Sequence, residues 1–137
     1  MAQALGCRFA LPADCPVDAD LVFHASASAA GLATAIDAAG FEARIVELSW
    51  YGEGSVAAPL GGAFHARRLQ LISSQVGQVS PSRRTRFDYA RRMQAALALL
   101  ADERLDALIS DEIAFRDAPA RLPILFAGAG LTAVLRY

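Results

Sequence analysis

The chain has 137 residues, 55% of them hydrophobic, and a formal net charge of −1, which suits one domain with an ordinary core and argues against electrostatic capture of nucleic acid or anionic lipid. All 13 basic residues are arginine, which excludes a Schiff-base or phosphate-loop lysine. No apolar run approaches the roughly 20 residues of a membrane span, and Met1–Gly6 has neither a basic leader nor an apolar core, so a cytoplasmic protein without membrane contact is expected.

In chain order, Met1 to Gly6 reads as the tail of a helix closed by glycine. Cys7 to Ala19 is a connector with Pro12 and Pro16. Asp20 to Ala25 is a short, nearly all-apolar strand, the pattern of a strand covered on both faces. Ser28 through Ala39 repeats small apolar residues at helical spacing, with Ser26 or Ser28 as cap and Gly40 as terminator. Ala43 to Ser49 is the next strand. Trp50 to Pro59 is a glycine-rich loop, Leu60 to Arg68 a short helix, and Leu69 to Ser74 a third strand.

Gly77 to Ser82 reads as a turn, with Pro81 placed to begin a helix. Phe87 to Ala101 carries Tyr89, Met93, Ala96, Leu97 and Leu100 at helical intervals. A strand within Leu105 to Phe115, a helix from Asp117 to Phe126 and a last strand, Leu131 to Tyr137, complete the chain. Strands joined through a helix run parallel with a right-handed crossover. The expected fold is α/β: a small three-layer parallel sheet in a single domain, residues 1–137, whose last strands extend that sheet or pair elsewhere.

Each of the first three strands ends in small or polar residues, as strands do where their carboxyl ends form a ligand crevice. What should precede them, a strand turning through a glycine-rich loop into a helix, is absent. The pattern is that of the second half of a Rossmann-like nucleotide-binding domain. Gly52-Glu53-Gly54-Ser55-Val56-Ala57 fits the dinucleotide fingerprint by letter, but Pro59 follows at once and no acidic residue ends a following strand. Gly128-Ala129-Gly130-Leu131-Thr132-Ala133 also fits, four residues from the end. Ordinary turns are the preferred reading of both.

Among side chains with chemistry, His24 stands at a strand's carboxyl end, within reach of a ligand. A partly buried histidine bonded to backbone is the plainer reading. His65, beside Arg67-Arg68, reads as surface. Cys7 and Cys15 are too few for a disulfide framework and lie outside the usual zinc spacings, so reduced thiols and no zinc are expected. Arg83-Arg84-Thr85-Arg86, continuing to Arg91-Arg92, reads as a solvated helix start rather than a phosphate grip. Ser26, Ser28, Ser73 and Ser74 stand in no Gly-x-Ser-x-Gly elbow, so no hydrolase is expected.

Asp20-Leu-Val-Phe-His-Ala-Ser, Gly40-Phe-Glu-Ala-Arg-Ile-Val-Glu-Leu-Ser-Trp-Tyr-Gly52 and Arg67-Arg-Leu-Gln-Leu-Ile-Ser-Ser-Gln-Val-Gly77 together resemble the later part of the zinc-type, medium-chain alcohol dehydrogenases. The three stretches resemble the fourth, fifth and sixth strands of that family's cofactor domain. Leu48-Ser49 stands where the family usually has valine-glycine, and Ser73-Ser74 where it has glycine-serine. Asp117-Ala118-Pro119-Ala120 with Leu131 to Tyr137 resembles the closing helix and return strand, so that about residues 105–137 match the family's final segment.

The resemblance implies an NAD or NADP cofactor and hydride transfer to or from an alcohol carbon, with a catalytic zinc in full-length members. It places Leu48, Ser49, Trp50 and Ser74 against the nicotinamide carboxamide, with Ala25 and Ser26 near the cofactor. The family's zinc ligands, glycine fingerprint and ribose-selecting acid have no counterpart, so no catalytic residue is assigned and the chain alone is expected to be inactive. The expected partner is the missing catalytic half or further copies of this chain. The alternative is a non-catalytic nucleotide-binding or oligomerisation module. An RNA-binding role for the arginines is the least favoured reading.

Overall fold

The structure, a computed structural model, describes residues 1–128 and 130–137, so the fingerprint match at Gly128-Ala129-Gly130 falls partly outside the described residues. The chain divides into two compact units, Ala10–Ser80 and Met1–Phe9 with Pro81–Tyr137. Both are α/β with parallel strands, as expected from the alternation of strand and helix.

In the Ala10–Ser80 unit, β1 (Ala19–His24), β2 (Ala39–Glu47) and β3 (Gln70–Ser73) form one sheet in that order, every neighbour pair parallel. Helix α1 (Ala29–Ala38) makes the crossover from β1 to β2. Ser28 starts it, its hydroxyl accepting from the Gly31 amide at 3.0 Å. Leu32, Ala35 and Ile36 fall one helical turn apart and are buried, packing with Ala39, Ala43, Ile45 and Leu69. Ile36 and Ile45 are almost wholly sequestered, each burial worth about 2–3 kcal/mol.

Gly40 does not end α1. The helix stops at Ala38, and Gly40 lies inside β2, where an added Cβ would sit 2.6 Å from the Asp18 carboxylate and 3.1 Å from its backbone. Close passage of two chain segments, not a helix cap, requires glycine there. The C-terminal carbonyls of α1 are met instead by Arg67, whose guanidinium donates to Asp37 O at 3.0 Å and Ala39 O at 2.8 Å. The short α2 (Ala63–Ala66) occupies part of the expected Leu60–Arg68 helix and contributes Ala63 and Phe64 to the core.

Paired residues in a parallel register share a face, so Val22, Ile45 and Leu71 form one row and Phe23, Val46 and Ile72 another. The first row includes the buried Ile45 of the α1 core. On the second face Leu21, Phe23 and Ile72 are exposed.

In the other unit, residues 2–6 form hydrogen-bonded turns rather than a helix tail, yet the glycine closure is present. Cys7 N–H donates to Ala2 O at 2.8 Å and Gly6 N–H to Gln3 O at 3.0 Å, with Gly6 at φ 73°. Helix α3 (Tyr89–Leu99) begins eight residues after Pro81, because Asp88 caps it by accepting from Arg91 N–H at 2.7 Å. Its Tyr89, Met93 and Leu97 stripe is exposed.

The strand expected within Leu105–Phe115 is present but short, preceded by a 3-10 turn, Glu103–Leu108, that begins with the Asp102 carboxylate accepting from the Arg104 amide. Only β4 (Asp111–Ala114) is extended. Helix α4 (Ala118–Ala127) follows, and β5 (Ala133–Arg136) pairs in parallel with β4 as a separate two-stranded sheet.

Candidate functional site

The carboxyl ends of β1 and β2 meet because their register sets His24 beside Glu47. His24 is 4% exposed, and the ring spans two partners: Nδ1 lies 2.8 Å from Glu47 Oε2 and Nε2 lies 2.7 Å from Ser26 Oγ. The plain expectation of a histidine bonded to backbone is therefore replaced by one bonded to side chains. Tyr51 OH donates to the same Glu47 oxygen at 3.1 Å, and the Ser49 amide donates to Glu47 Oε1 at 2.8 Å.

These contacts fix the protons. Burial alone would raise the Glu47 pKa, but the bonds from Ser49, His24 and Tyr51 outweigh it and hold the carboxyl at about 2. As an anion Glu47 only accepts, so His24 Nδ1 carries hydrogen toward it. In the neutral ring Nε2 then accepts from Ser26 O–H. Ser26 Oγ in turn lies 3.0 Å from Ser28 Oγ, which accepts from the Gly31 amide at 3.0 Å. The result is a directed chain of hydrogen bonds from the start of α1 to the Glu47 carboxylate. Burial, then the Glu47 charge, raises the Tyr51 pKa, so the phenol stays a donor.

The turn between β1 and α1 is tightly held. Ala27 sits at φ 51°, a left-handed conformation that favours glycine, and its amide donates to Ser49 Oγ at 3.1 Å. Ser26 Oγ lies against the first turn of α1, where a methyl on Gly31 would come within 2.0 Å of it. Gly31 is thus the residue that admits the serine.

Of the residues assigned to the cofactor, Ala25 and Ser26 follow β1 and are exposed, Leu48, Ser49 and Trp50 follow β2, and Ser74 follows β3. Backbone bonds hold these ends level: Leu48 N–H donates to His24 O at 2.8 Å and Ser74 N–H to Glu47 O at 2.9 Å. Trp50 is 80% exposed. All six thus sit at the carboxyl ends of three adjacent parallel strands.

Glu47 and Tyr51 were missed by sequence reasoning. The available signal was a carboxylate directly after the apolar pair Ile45-Val46 at a strand end, where an unpaired charge is costly.

Elsewhere the chemistry is thinner. Gly52–Ala57 opens no helix; irregular backbone continues up to α2. His65 is exposed. Arg91 stacks over Phe87 at 4.4 Å and Arg92 over Tyr89 at 5.2 Å. An open cavity of about 660 Å³ is lined by Met1, Ala2, Gln3, Cys7, Arg8 and Phe9, and it gathers no buried polar group. Among the described residues no three metal-ligating side chains are grouped to hold an ion, and no helix is long and apolar enough to cross a membrane.

No family model and no curated protein matches the sequence. Solved structures do. L-idonate 5-dehydrogenase from Escherichia coli superposes with a TM-score of 0.62 at 18% identity, over 86% of this chain and 31% of that one. Alcohol dehydrogenase from Thermus sp. ATN1 gives 0.62 at 22% identity, over 86% and 31%. Galactitol-1-phosphate dehydrogenase from Escherichia coli gives 0.59 at 17%, over 80% and 32%. The chain therefore has the α/β fold of a portion of these dehydrogenases and spans roughly 30% of their length.

Proposed function

We propose that the chain is the carboxy-terminal part of an NAD(P)-dependent oxidoreductase of the zinc-type alcohol dehydrogenase kind, and that the ends of β1, β2 and β3 form the nicotinamide end of its cofactor crevice. The observation that carries this reading is the alignment of Ala25, Ser26, Leu48, Ser49, Trp50 and Ser74 at three adjacent parallel strand ends. Ligands of open α/β sheets bind outside such ends.

The site suits a carboxamide and ribose better than a phosphate. It offers hydroxyls and backbone groups at Ser26, Ser49 and Ser74, without a glycine loop leading into a helix or a cation among them. Bound NAD(P) supplies the hydride acceptor or donor. This chain's residues hold the ring's polar edge, and Trp50 stands exposed nearby in sequence. The described residues contain no fitting ligand set for zinc. On this reading the chain alone is inactive, since the cofactor lacks its pyrophosphate site and the alcohol oxygen lacks a Lewis acid.

A second reading, a non-catalytic nucleotide-binding or oligomerisation module, draws on the exposed apolar face of the sheet at Leu21, Phe23 and Ile72. Titration with NADH separates cofactor binding from assembly alone. The first reading predicts saturable quenching of Trp50, the chain's one tryptophan, with energy transfer to the dihydronicotinamide. No quenching and no transfer at millimolar NADH would leave the assembly reading.

A further inference from the structure

The hydrogen-bonded chain at the β1–β2 ends is more elaborate than cofactor contact requires. His24 is nearly sequestered, an ionised acid holds one ring nitrogen, and the hydroxyl of an exposed residue, Ser26, is bonded to the other. We propose that Ser26 is a nucleophile activated by His24, with Glu47 orienting the imidazole, and that it accepts acyl groups from short carboxylic esters.

Three features support this beyond the two distances. First, the proton positions run the right way, because Glu47 accepts from Nδ1–H and leaves Nε2 to draw the proton of Ser26. Second, Ser26 occupies a strand-to-helix turn, followed at once by the strained Ala27, and its Oγ rests on the first turn of α1 over Gly31. The positive end of that ten-residue helix favours an alkoxide there. Third, Ser26 and its neighbours Ala25 and Ala27 are exposed residues, so a small ester can approach the turn. Short, reactive esters are the matching class.

The step balances without a co-reactant. Ser26 Oγ forms a bond to the ester carbonyl carbon as its proton passes to His24 Nε2. The carbonyl bond to the alcohol oxygen breaks, and the leaving alkoxide takes the proton from His24. Water then attacks the acyl-serine by the same route and releases the acid. The titratable groups bonded to the imidazole's Nδ1 side are Glu47 on β2 and Tyr51 beyond it.

The test uses the full chain and p-nitrophenyl acetate, read by nitrophenolate release, intact mass and peptide mapping. The expected result is one acetyl group per chain, on Ser26. Ser26→Ala abolishes the acetylation, and Ser55→Ala, in the exposed loop after β2, preserves it. His24→Gln slows it by about 100-fold or more. Glu47→Gln, which keeps the side chain's shape, slows it as well, and circular dichroism establishes that each variant is folded. A chain that takes no acetyl group overturns the proposal. So does acetylation of Tyr51 or another residue in place of Ser26, or labelling of Ser26 at an unchanged rate in folded His24→Gln or Glu47→Gln.

Discussion

Glu47 concentrates the physics of the site in one carboxylate. It is 13% exposed, bonded by an imidazole, a phenol and an amide, and held at about pKa 2 against an ordinary 4.5. A carboxyl depressed in the folded state adds stability above its unfolded pKa and loses it as pH falls toward the folded one. The difference in unfolding free energy between the parent chain and Glu47→Gln is therefore expected to be on the order of 2 kcal/mol at pH 7. It should shrink as pH drops from about 4.5 toward about 2, the span of that shift. Urea unfolding across this range checks it, and a difference independent of pH would contradict the assignment. Taking the difference removes other depressed carboxyls, such as Asp102 beside Arg104.

At this scale the sequence showed only half of the arrangement. His24 was visible as a polar residue ending an apolar strand, but its partner depends on β1–β2 register. Twenty-three positions separate His24 from Glu47, and only the crossover through α1 makes them neighbours. Ser26, two positions beyond His24, becomes its partner through the tight turn between β1 and α1, which no sequence motif announces.

Among the elements, those with strong local signals were legible. Ser28, the alanine-rich repeat and the buried spacing of Leu32, Ala35 and Ile36 announce α1. Within Leu105–Phe115 the strand is confined to Asp111–Ala114, because Asp102 draws the amide of Arg104 into a tight turn ahead of it. Local side-chain capping outweighed strand propensity there.

The sheet itself leaves an unfinished surface: Leu21, Phe23 and Ile72 are exposed on one face, and β1 is an edge strand. Such a face and edge favour self-association when no other chain covers them. Light scattering of the isolated chain is expected to show assembly that grows with concentration, and that Phe23→Ser together with Ile72→Ser reduces. A monodisperse monomer at every concentration would exclude that partner.

At the scale of the whole molecule, the fold of a dehydrogenase portion is present in a chain spanning roughly 30% of the structures it resembles. Segment order carried this resemblance through sequences only 17–22% identical to those structures, because apolar strand patterns and helical spacing survive where individual residues do not. The missing glycine loop was equally legible, since it demands specific residues at fixed spacing. On the proposed reading, three strand ends hold a nicotinamide. The most direct measurement is an amide nitrogen–proton correlation spectrum of the chain titrated with NADH. The account predicts saturable shifts concentrated at Ala25, Ser26, Leu48, Ser49, Trp50 and Ser74. Shifts scattered over the chain, centred elsewhere, or absent at millimolar NADH would contradict it.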